Sequence, residues 1–349
     1  MHFESADFDF SLPDRTLVIA EVGVNHNGNT ALARRMVDVA RDAGADIVKF
    51  QAFNAEKEIS RYAGKAQYQI ENTGDEGGQL ELCKALELSG EALLELKAYC
   101  ATLHQPFLCT AFDFDSVDLL ADTLKVTAIK IGSAEVTNLP MLEYIGSKKL
   151  SAILSTGAST LAEVGLAIDA LRRGGCRELV VLHCVTSYPA PGGEANLRAM
   201  HTLRQAFGVP VGFSDHTAGI ECAIAAAALG ACAIEKHFTT DRSLPGPDHL
   251  ASVEPQELKA LVTGVRLVNT ALGNGIKVPA PCEIANRPLV RKSLVATRDL
   301  AVGVRITRDM IEIKRPLAGI EPGDLSKILG RTLSRPVVED MSITWDDLA

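Results

Sequence analysis

Short apolar runs alternate with longer segments of helical period along most of the chain. Eight runs, at residues 16–22, 46–50, 106–111, 128–131, 152–155, 179–184, 211–213 and 232–234, are bounded by Gly, Pro or polar residues. Runs this short and this apolar fit strands buried on both faces. The segments that follow them, at 31–43, 91–103, 116–124, 139–146, 160–173, 197–207, 220–229 and 254–272, carry helical patterns. In the first, Leu32, Met36, Val39 and Ala40 fall on one stripe and Asn29 supplies a cap. Eight strand-then-helix units predict an α/β fold of the (β/α)8 TIM-barrel type. A doubly wound open sheet uses similar elements, but neither G-x-G-x-x-G nor G-x-x-x-x-G-K-[ST] occurs in the chain.

Two stretches break the rhythm. Residues 54–89 are too long for a plain βα connection, and Gln67, Gln69, Gly74, Gly77 and Gly78 make them polar. They predict an excursion over the barrel mouth. After Leu272, the glycines 273 and 275 and the prolines 279, 281 and 288 mark a linker. Short runs at 293–296 and 310–314 then predict a small β-rich module. The expected domains are a barrel at 1–275, a linker at 276–290 and the module at 291–349.

Composition narrows the partners. The 349 residues include 35 basic and 44 acidic ones, a formal charge of −9, with no long Lys/Arg run. Nucleic acid and anionic membranes are therefore not expected, and an anionic substrate must be held by a few local cations. Residues 1–14 lack the basic-then-apolar order of a signal peptide. No apolar run approaches the roughly 20 residues of a membrane span. The eight cysteines form no C-x-x-C pair and read as reduced hydrophobes, so a cytoplasmic protein is expected.

In a barrel, the C-terminal ends of the strands build the active site. Here those ends are polar: Glu21, then Lys49 and Gln51, then Thr110 and Phe112, then Lys130, Ser133 and Glu135. Ser155, Thr186 and Tyr188, Ser214 to His216, and Glu235 to His237 follow. Lys49 sits between Val48 and Phe50, and Lys130 between Ile129 and Ile131, so strand alternation aims both into the barrel. With the serine hydroxyls they suit a phosphate and a carboxylate, although salt-bridged lysines or a Schiff-base lysine fit the same positions. His216 and His237, at neighbouring strand ends, can share a divalent ion or serve as buried structural histidines. His26 and His183 are weaker candidates, read as structural or supporting. Glu21 and Glu135 are candidate proton carriers or lysine partners. The loop 243–248 presents Asp248.

These residues sit in motifs: EVGVNHNG from Glu21, ADIVKFQ from Ala45, KIGSAE from Lys130, LSTG from Leu154, HC-x-x-x-YPAP from His183, GFSDHT from Gly212 and EKHFT from Glu235. RKSLVA from Arg291 and KRP from Lys314 continue the series. The chain resembles the sialic acid synthase family, which includes legionaminic and pseudaminic acid synthases and the spore coat polysaccharide biosynthesis protein E group. The resemblance implies a barrel followed by an antifreeze-like, or SAF, domain. It also implies metal-dependent condensation of phosphoenolpyruvate with an N-acyl hexosamine, giving a nine-carbon 2-keto acid and phosphate for surface polysaccharide. By that resemblance Lys49, Thr110, Lys130, Ser133, Ser155 and Ser214 hold phosphoenolpyruvate, and His216 and His237 bind Mn2+, or Mg2+ or Co2+ in its place. Glu21, Gln51, Tyr188 and Asp248 contact the sugar or position the reacting groups, and Glu135 manages the attacking water. Arg315 reads the N-acyl group from a partner subunit of a domain-swapped homodimer.

The chain departs from the family pattern at Thr186, where Asn is common, at Leu317-Ala318-Gly319, and at Ala158-Ser159-Thr160. Those positions bear on the choice of sugar. Two other functions use the same fold: a Schiff-base aldolase on Lys130 or Lys49, and a non-catalytic carbohydrate-binding relative, which Thr186 alone favours.

Overall fold

The computed structural model describes residues 15–74 and 77–349, so the expectation about residues 1–14 lies outside the described residues. The chain divides into two units, one ending at Gly273 and the other spanning Asn274–Ala349.

In the first unit, β1 (Leu17–Glu21), α1 (Thr30–Ala43) and β2 (Ile47–Ala52) open a βα series. Three short helices follow, α2 (Ala55–Glu58), α3 (Gln67–Thr73) and α4 (Gln79–Leu86), before α5 (Gly90–Thr102) and β3 (Phe107–Ala111). Then come α6 (Phe114–Asp118), β4 (Ala128–Ile131), α7 (Leu139–Ser147), β5 (Ser151–Ser155), α8 (Leu161–Gly174) and β6 (Leu179–Cys184). The series ends with α9 (Ala199–Phe207), β7 (Val211–Asp215), α10 (Glu221–Ala228), β8 (Ala233–His237) and α11 (Pro255–Leu272). The eight strands are parallel and close into a barrel, with Glu21 of β1 in register with Lys49 on one side and His237 of β8 on the other. The expected TIM barrel is the observed one.

Strand alternation sorts the residues into two environments. Val18, Ala20, Val48, Phe50, Cys109 and Ile129 face outward and pack with the helix stripes, among them Ala33, Met36, Val37 and Ala40 of α1. Leu17, Ile19, Ile47, Leu108, Ala128, Ile153, Val180, Leu182 and Ala233 pack inside the barrel. Gly212 belongs to that inner layer, where a Cβ would lie 2.4 Å from the Ala233 carbonyl oxygen and 2.7 Å from Leu182. Two residues further up the strands, the interior turns polar, with Glu21, Lys49, Lys130 and Glu235 charged and Thr110, Ser155 and Ser214 carrying hydroxyls.

Two differences from the sequence reading have clear causes. β7 and β8 run on to Asp215 and His237, past the apolar runs, because the polar pairs Ser214–Glu235 and Asp215–Lys236 tie the two strands together there. The helix expected at 116–124 instead starts at Phe114 behind an Asp113 cap and loosens into a π turn at Leu119–Thr123. Within the excursion, α3 and α4 follow Ala66 and Gly78 at the cap position, neither of which makes a side-chain cap hydrogen bond.

The second unit holds α12 (Arg287–Val290), an antiparallel pair of β9 (Ser293–Ala296) and β10 (Ile311–Lys314), and α13 (Leu325–Ile328). Its core gathers Leu294, Ala296, Leu300, Ile306, Ile311, Ile320, Ile328, Leu333 and Ile343. Among the described residues, no helix is long and apolar enough to cross a membrane.

Candidate active site

The top of the barrel interior opens into a cavity of about 290 Å3, the scale of one small-molecule site. Its floor is the charged layer of the strands. The Lys49 ammonium lies 2.9 Å from Glu21 Oε2, donates to Thr110 Oγ1 at 3.0 Å, and sits 3.6 Å from Glu235 Oε2. The Lys130 ammonium donates to Ser155 Oγ at 2.7 Å and to the Ile131 carbonyl at 3.2 Å, and lies 3.6 Å from Glu235 Oε1. Ser214 Oγ donates to the same Glu235 oxygen at 3.0 Å, and Gln51 donates to Glu21 Oε1 at 2.9 Å. Glu235 therefore spans the two lysines.

Burial penalises every one of these charges, and neighbours decide which survive. Glu235 overcomes it through Lys130 and Lys49 and is held down at about 2. Glu21 does not: burial, joined by repulsion from Glu235, raises it to about 7 despite Lys49. For Lys49 the attraction of Glu21 and Glu235 outweighs burial and raises its pKa, whereas burial wins at Lys130 and lowers it. The floor thus combines an ionised carboxylate, two ammonium groups and a carboxyl that takes up a proton near neutrality.

One wall is imidazole. The His216 and His237 rings lie 5.4 Å apart between centroids, and the Tyr188 ring stacks 4.1 Å from His216 and meets His237 edge-on at 5.6 Å. His216 Nδ1 is 2.8 Å from the Val185 carbonyl, which can only accept, so Nδ1 carries a proton and Nε2 is the nitrogen left for another partner. His237 Nδ1 is buried without a hydrogen-bond partner, 3.9 Å from Asp248 Oδ2. Burial, then the proximity of His216 and Lys49, depresses His237 far below the usual imidazole range. A neutral, orphaned imidazole beside one whose second nitrogen is pinned to a carbonyl fits a divalent ion at this wall. Burial also lifts Asp248 to about 6.

The loops are tied together beneath this wall. Asn25 Nδ2 donates to the Phe238 carbonyl and to Ser252 Oγ, both at 2.8 Å, and Asn27 Nδ2 reaches the Pro245 carbonyl at 2.8 Å. The NHNG segment thereby fixes the loop that presents Asp248. His26 is buried within it, and His183 Nε2 donates to the Ala195 carbonyl at 2.8 Å.

Of the residues singled out from sequence, Glu21, Lys49, Gln51, Thr110, Phe112, Lys130, Ser133, Ser155, Thr186, Tyr188, Ser214, His216, His237 and Asp248 line this cavity. Two do not. The Glu135 carboxylate turns back onto its own 3-10 turn and accepts from Asn138 at 2.7 Å. Arg315 lies in the second unit, exposed, just after β10. The structure adds residues to which sequence reasoning assigned no role. Glu235 and Cys184 were detectable by parity, each being two residues from another inward-facing position. Glu58, Tyr68, Gln69, Leu82 and Leu86, from the excursion, carry no such periodic signal.

This arrangement is a barrel with two buried lysines and a carboxylate between them at the floor of its cavity, beside an imidazole pair. A model of the NeuB family matches residues 36–277, and a SAF domain model matches residues 291–349. The chain belongs to the NeuB family and carries a C-terminal SAF domain. It is 45% identical over 328 residues to N,N'-diacetyllegionaminic acid synthase of Campylobacter jejuni, covering 93% of this chain and 98% of that one. The synthase of the same name from Legionella pneumophila is 44% identical over 335 residues, covering 95% of this chain and 94% of that one. A solved N-acetylneuraminic acid synthetase from Leptospira borgpetersenii, in complex with citrate, superposes with a TM-score of 0.73 at 34% identity, covering 82% of this chain and 95% of that one.

Proposed function

We propose that the protein is a synthase that condenses phosphoenolpyruvate with an N-acyl hexosamine, releasing phosphate and a nine-carbon 2-keto acid. The observation that carries this reading is the convergence of Lys49 and Lys130 with His216 and His237 on one cavity. The lysines, with Thr110, Ser133, Ser155 and Ser214, hold the phosphate and carboxylate by charge-assisted hydrogen bonds. His216 Nε2 and His237 Nδ1 are the nitrogens that would hold Mn2+, or Mg2+ or Co2+. That ion would supply Lewis-acid polarisation of the sugar aldehyde.

C3 of phosphoenolpyruvate attacks the aldehyde carbon, water adds to the cationic C2, and the resulting tetrahedral carbon expels phosphate through C–O cleavage. The fixed ammonium groups stabilise the departing phosphate without reorganising. Glu21, held near neutral pH and tied to Gln51 and Lys49, is placed to carry a proton at the reacting centre. Glu135 points elsewhere in this structure, which leaves Glu21 the better-placed carboxyl for the water step. Tyr188 and Asp248 border the sugar. Arg315 would read the N-acyl group from the partner subunit of a domain-swapped homodimer, and the product would serve surface polysaccharide synthesis.

The test is phosphate release from phosphoenolpyruvate and a panel of N-acyl hexosamines, after chelation and after Mn2+ is restored. Release should require both sugar and metal, and Lys130→Met or His216→Ala should lower kcat/KM by about 100-fold or more. Absence of release with every acceptor would contradict the reading. The depressed Lys130 ammonium favours one rival, a Schiff-base aldolase. Borohydride trapping of a keto acid on Lys130, without any metal requirement, would support that rival.

A further inference from the structure

We infer that the lower end of the barrel holds a second small-molecule site, which takes a small hydroxylated anion, a phosphomonoester or a hydroxycarboxylate. A cavity of about 370 Å3 opens there, where β4, β5 and β6 begin. Lys149, Ser151, Arg177 and Glu178 line it, with Val126 and Leu150 as its apolar part.

Strand alternation builds its inner surface. Ser151 opens β5 and shares inward parity with Ile153 and Ser155. Glu178, one residue before β6, has the parity of Val180 and Leu182. Ser155, the upper end of the same strand, accepts from Lys130, about 13 Å from Ser151 at about 3.3 Å per residue. Ala128, Ile153, Val180 and the rest of the inner apolar layer fill the barrel between the two ends. The lower cavity is therefore separate from the upper one.

Two observations point to a ligand. Ser151 is only 6% exposed, yet its hydroxyl makes no hydrogen bond among the described residues, while its amide donates to the Thr127 carbonyl at 3.3 Å. A buried hydroxyl calls for a polar partner, and the cavity is the side from which one can come. Lys149 and Arg177 are the second observation. Neither side chain has an ion pair or hydrogen bond among the described residues, in a chain of net charge −9. Nearby cations are already paired, Lys148 with Asp118 and Asp122, and Arg173 with Glu143. Two unpaired cations beside a buried hydroxyl suit a phosphate or carboxylate. Glu178, the acid of the rim, can accept from the hydroxyl groups of such a ligand. The Cys176 thiol bonds the Leu150 and Glu178 carbonyls, at 3.4 and 3.3 Å, so the rim is set before a ligand arrives.

The experiment is calorimetry of the full-length protein with glycerol 3-phosphate and, separately, with glycerate, and the tighter probe identifies the anionic group. It needs no sugar acceptor, so its outcome is independent of the condensation reading. Lys149→Asn/Arg177→Gln should weaken binding of the tighter probe about 10-fold or more, the scale of a charge-assisted hydrogen bond. Both positions are exposed, and Asn tolerates the left-handed backbone of Lys149, φ 56°, so this variant should fold. Ser151→Ala should weaken the same binding several-fold. Affinity unchanged in Lys149→Asn/Arg177→Gln would assign the probes to the upper lysines and overturn the inference. So would the absence of binding by either probe at millimolar concentration. Affinity unchanged in Ser151→Ala would overturn the buried hydroxyl as part of the site.

Discussion

Asp215 and Lys236 form a buried ion pair, 2.9 Å from Oδ2 to Nζ, on the helix-facing side of β7 and β8, while their chain neighbours His216 and His237 line the cavity. Asp215 Oδ1 also accepts from the backbone and hydroxyl of Thr217, at 2.9 and 2.7 Å, and Lys236 donates to the Thr217 carbonyl at 2.5 Å. The two residues flanking His216 are thus clamped to β8. Removing one partner of a buried pair leaves an uncompensated charge, whereas removing both leaves none. Lys236→Met alone should cost about 3–5 kcal/mol of stability, and Asp215→Leu/Lys236→Met should recover much of it. Urea unfolding of the three variants checks this. The double variant, though folded, should bind Mn2+ more weakly by calorimetry, because the His216 turn has lost its clamp. Equal affinity would reduce the pair to a purely structural role.

Gly157 and Thr186 compete for the same space. A Cβ at Gly157 would lie 2.0 Å from Thr186 Oγ1 and 2.9 Å from Ser133 Oγ, the hydroxyl that accepts from the Gly157 amide at 2.8 Å. Gly157→Ala should therefore raise the KM for phosphoenolpyruvate and destabilise by about 1–3 kcal/mol. Gly157→Ala/Thr186→Ala should be better than additive by about 0.5–3 kcal/mol, since the second change removes the obstructing hydroxyl. Strict additivity in a double-mutant cycle would show that the clash is relieved elsewhere.

His26 gives the fold an acid-sensitive point. Burial lowers its pKa from the ordinary 6.5 to about 4, and its Nδ1 accepts from the Gly28 amide at 3.0 Å. The folded-state pKa is depressed, so its contribution is fully present above about 6.5. It is lost as pH falls toward about 4, because only the unfolded chain binds the proton across that window. The loss amounts to roughly 3 kcal/mol at most. His26→Gln should flatten the decline of the urea midpoint between pH 7 and pH 4.5, and an unchanged slope would assign the acid sensitivity to other groups.

Much of this architecture was legible because strands buried on both faces need uninterrupted apolar residues, and helices around them need a stripe. Runs such as Leu179–Cys184 coincide with β6 as written. The tops of β7 and β8 were less legible, since Ser214, Asp215, Glu235, Lys236 and His237 look unlike strand interior. All but His237 are held in the strands by inward and outward polar pairs, Ser214 and Lys130 with Glu235 and Asp215 with Lys236. Glu235 was visible as a strand-end residue, yet its link to both lysines follows from barrel closure, which no local spacing encodes. The excursion was readable as polar and long. Its helices are too short for a periodic signal, so the apolar face of α4 and its place in the cavity wall appear only in three dimensions.

Glu235 offers a test of the electrostatic floor. Glu235→Gln removes the charge between Lys49 and Lys130 while keeping a side chain of similar shape for Ser214. Phosphoenolpyruvate should bind more tightly to the variant, because two ammonium groups lose a competing carboxylate. Loss of phosphoenolpyruvate affinity, measured by calorimetry without sugar, would show that Glu235 instead holds the lysines in place.

The central claim is spatial, and the most direct measurement is a crystal structure with phosphoenolpyruvate and Mn2+, using anomalous scattering to locate the ion. The phosphate and carboxylate should lie within hydrogen-bonding distance of Lys49 and Lys130, with Mn2+ on His216 Nε2 and His237 Nδ1 in the same cavity. Phosphoenolpyruvate bound away from both lysines, or an ion bound without either imidazole, would contradict the account.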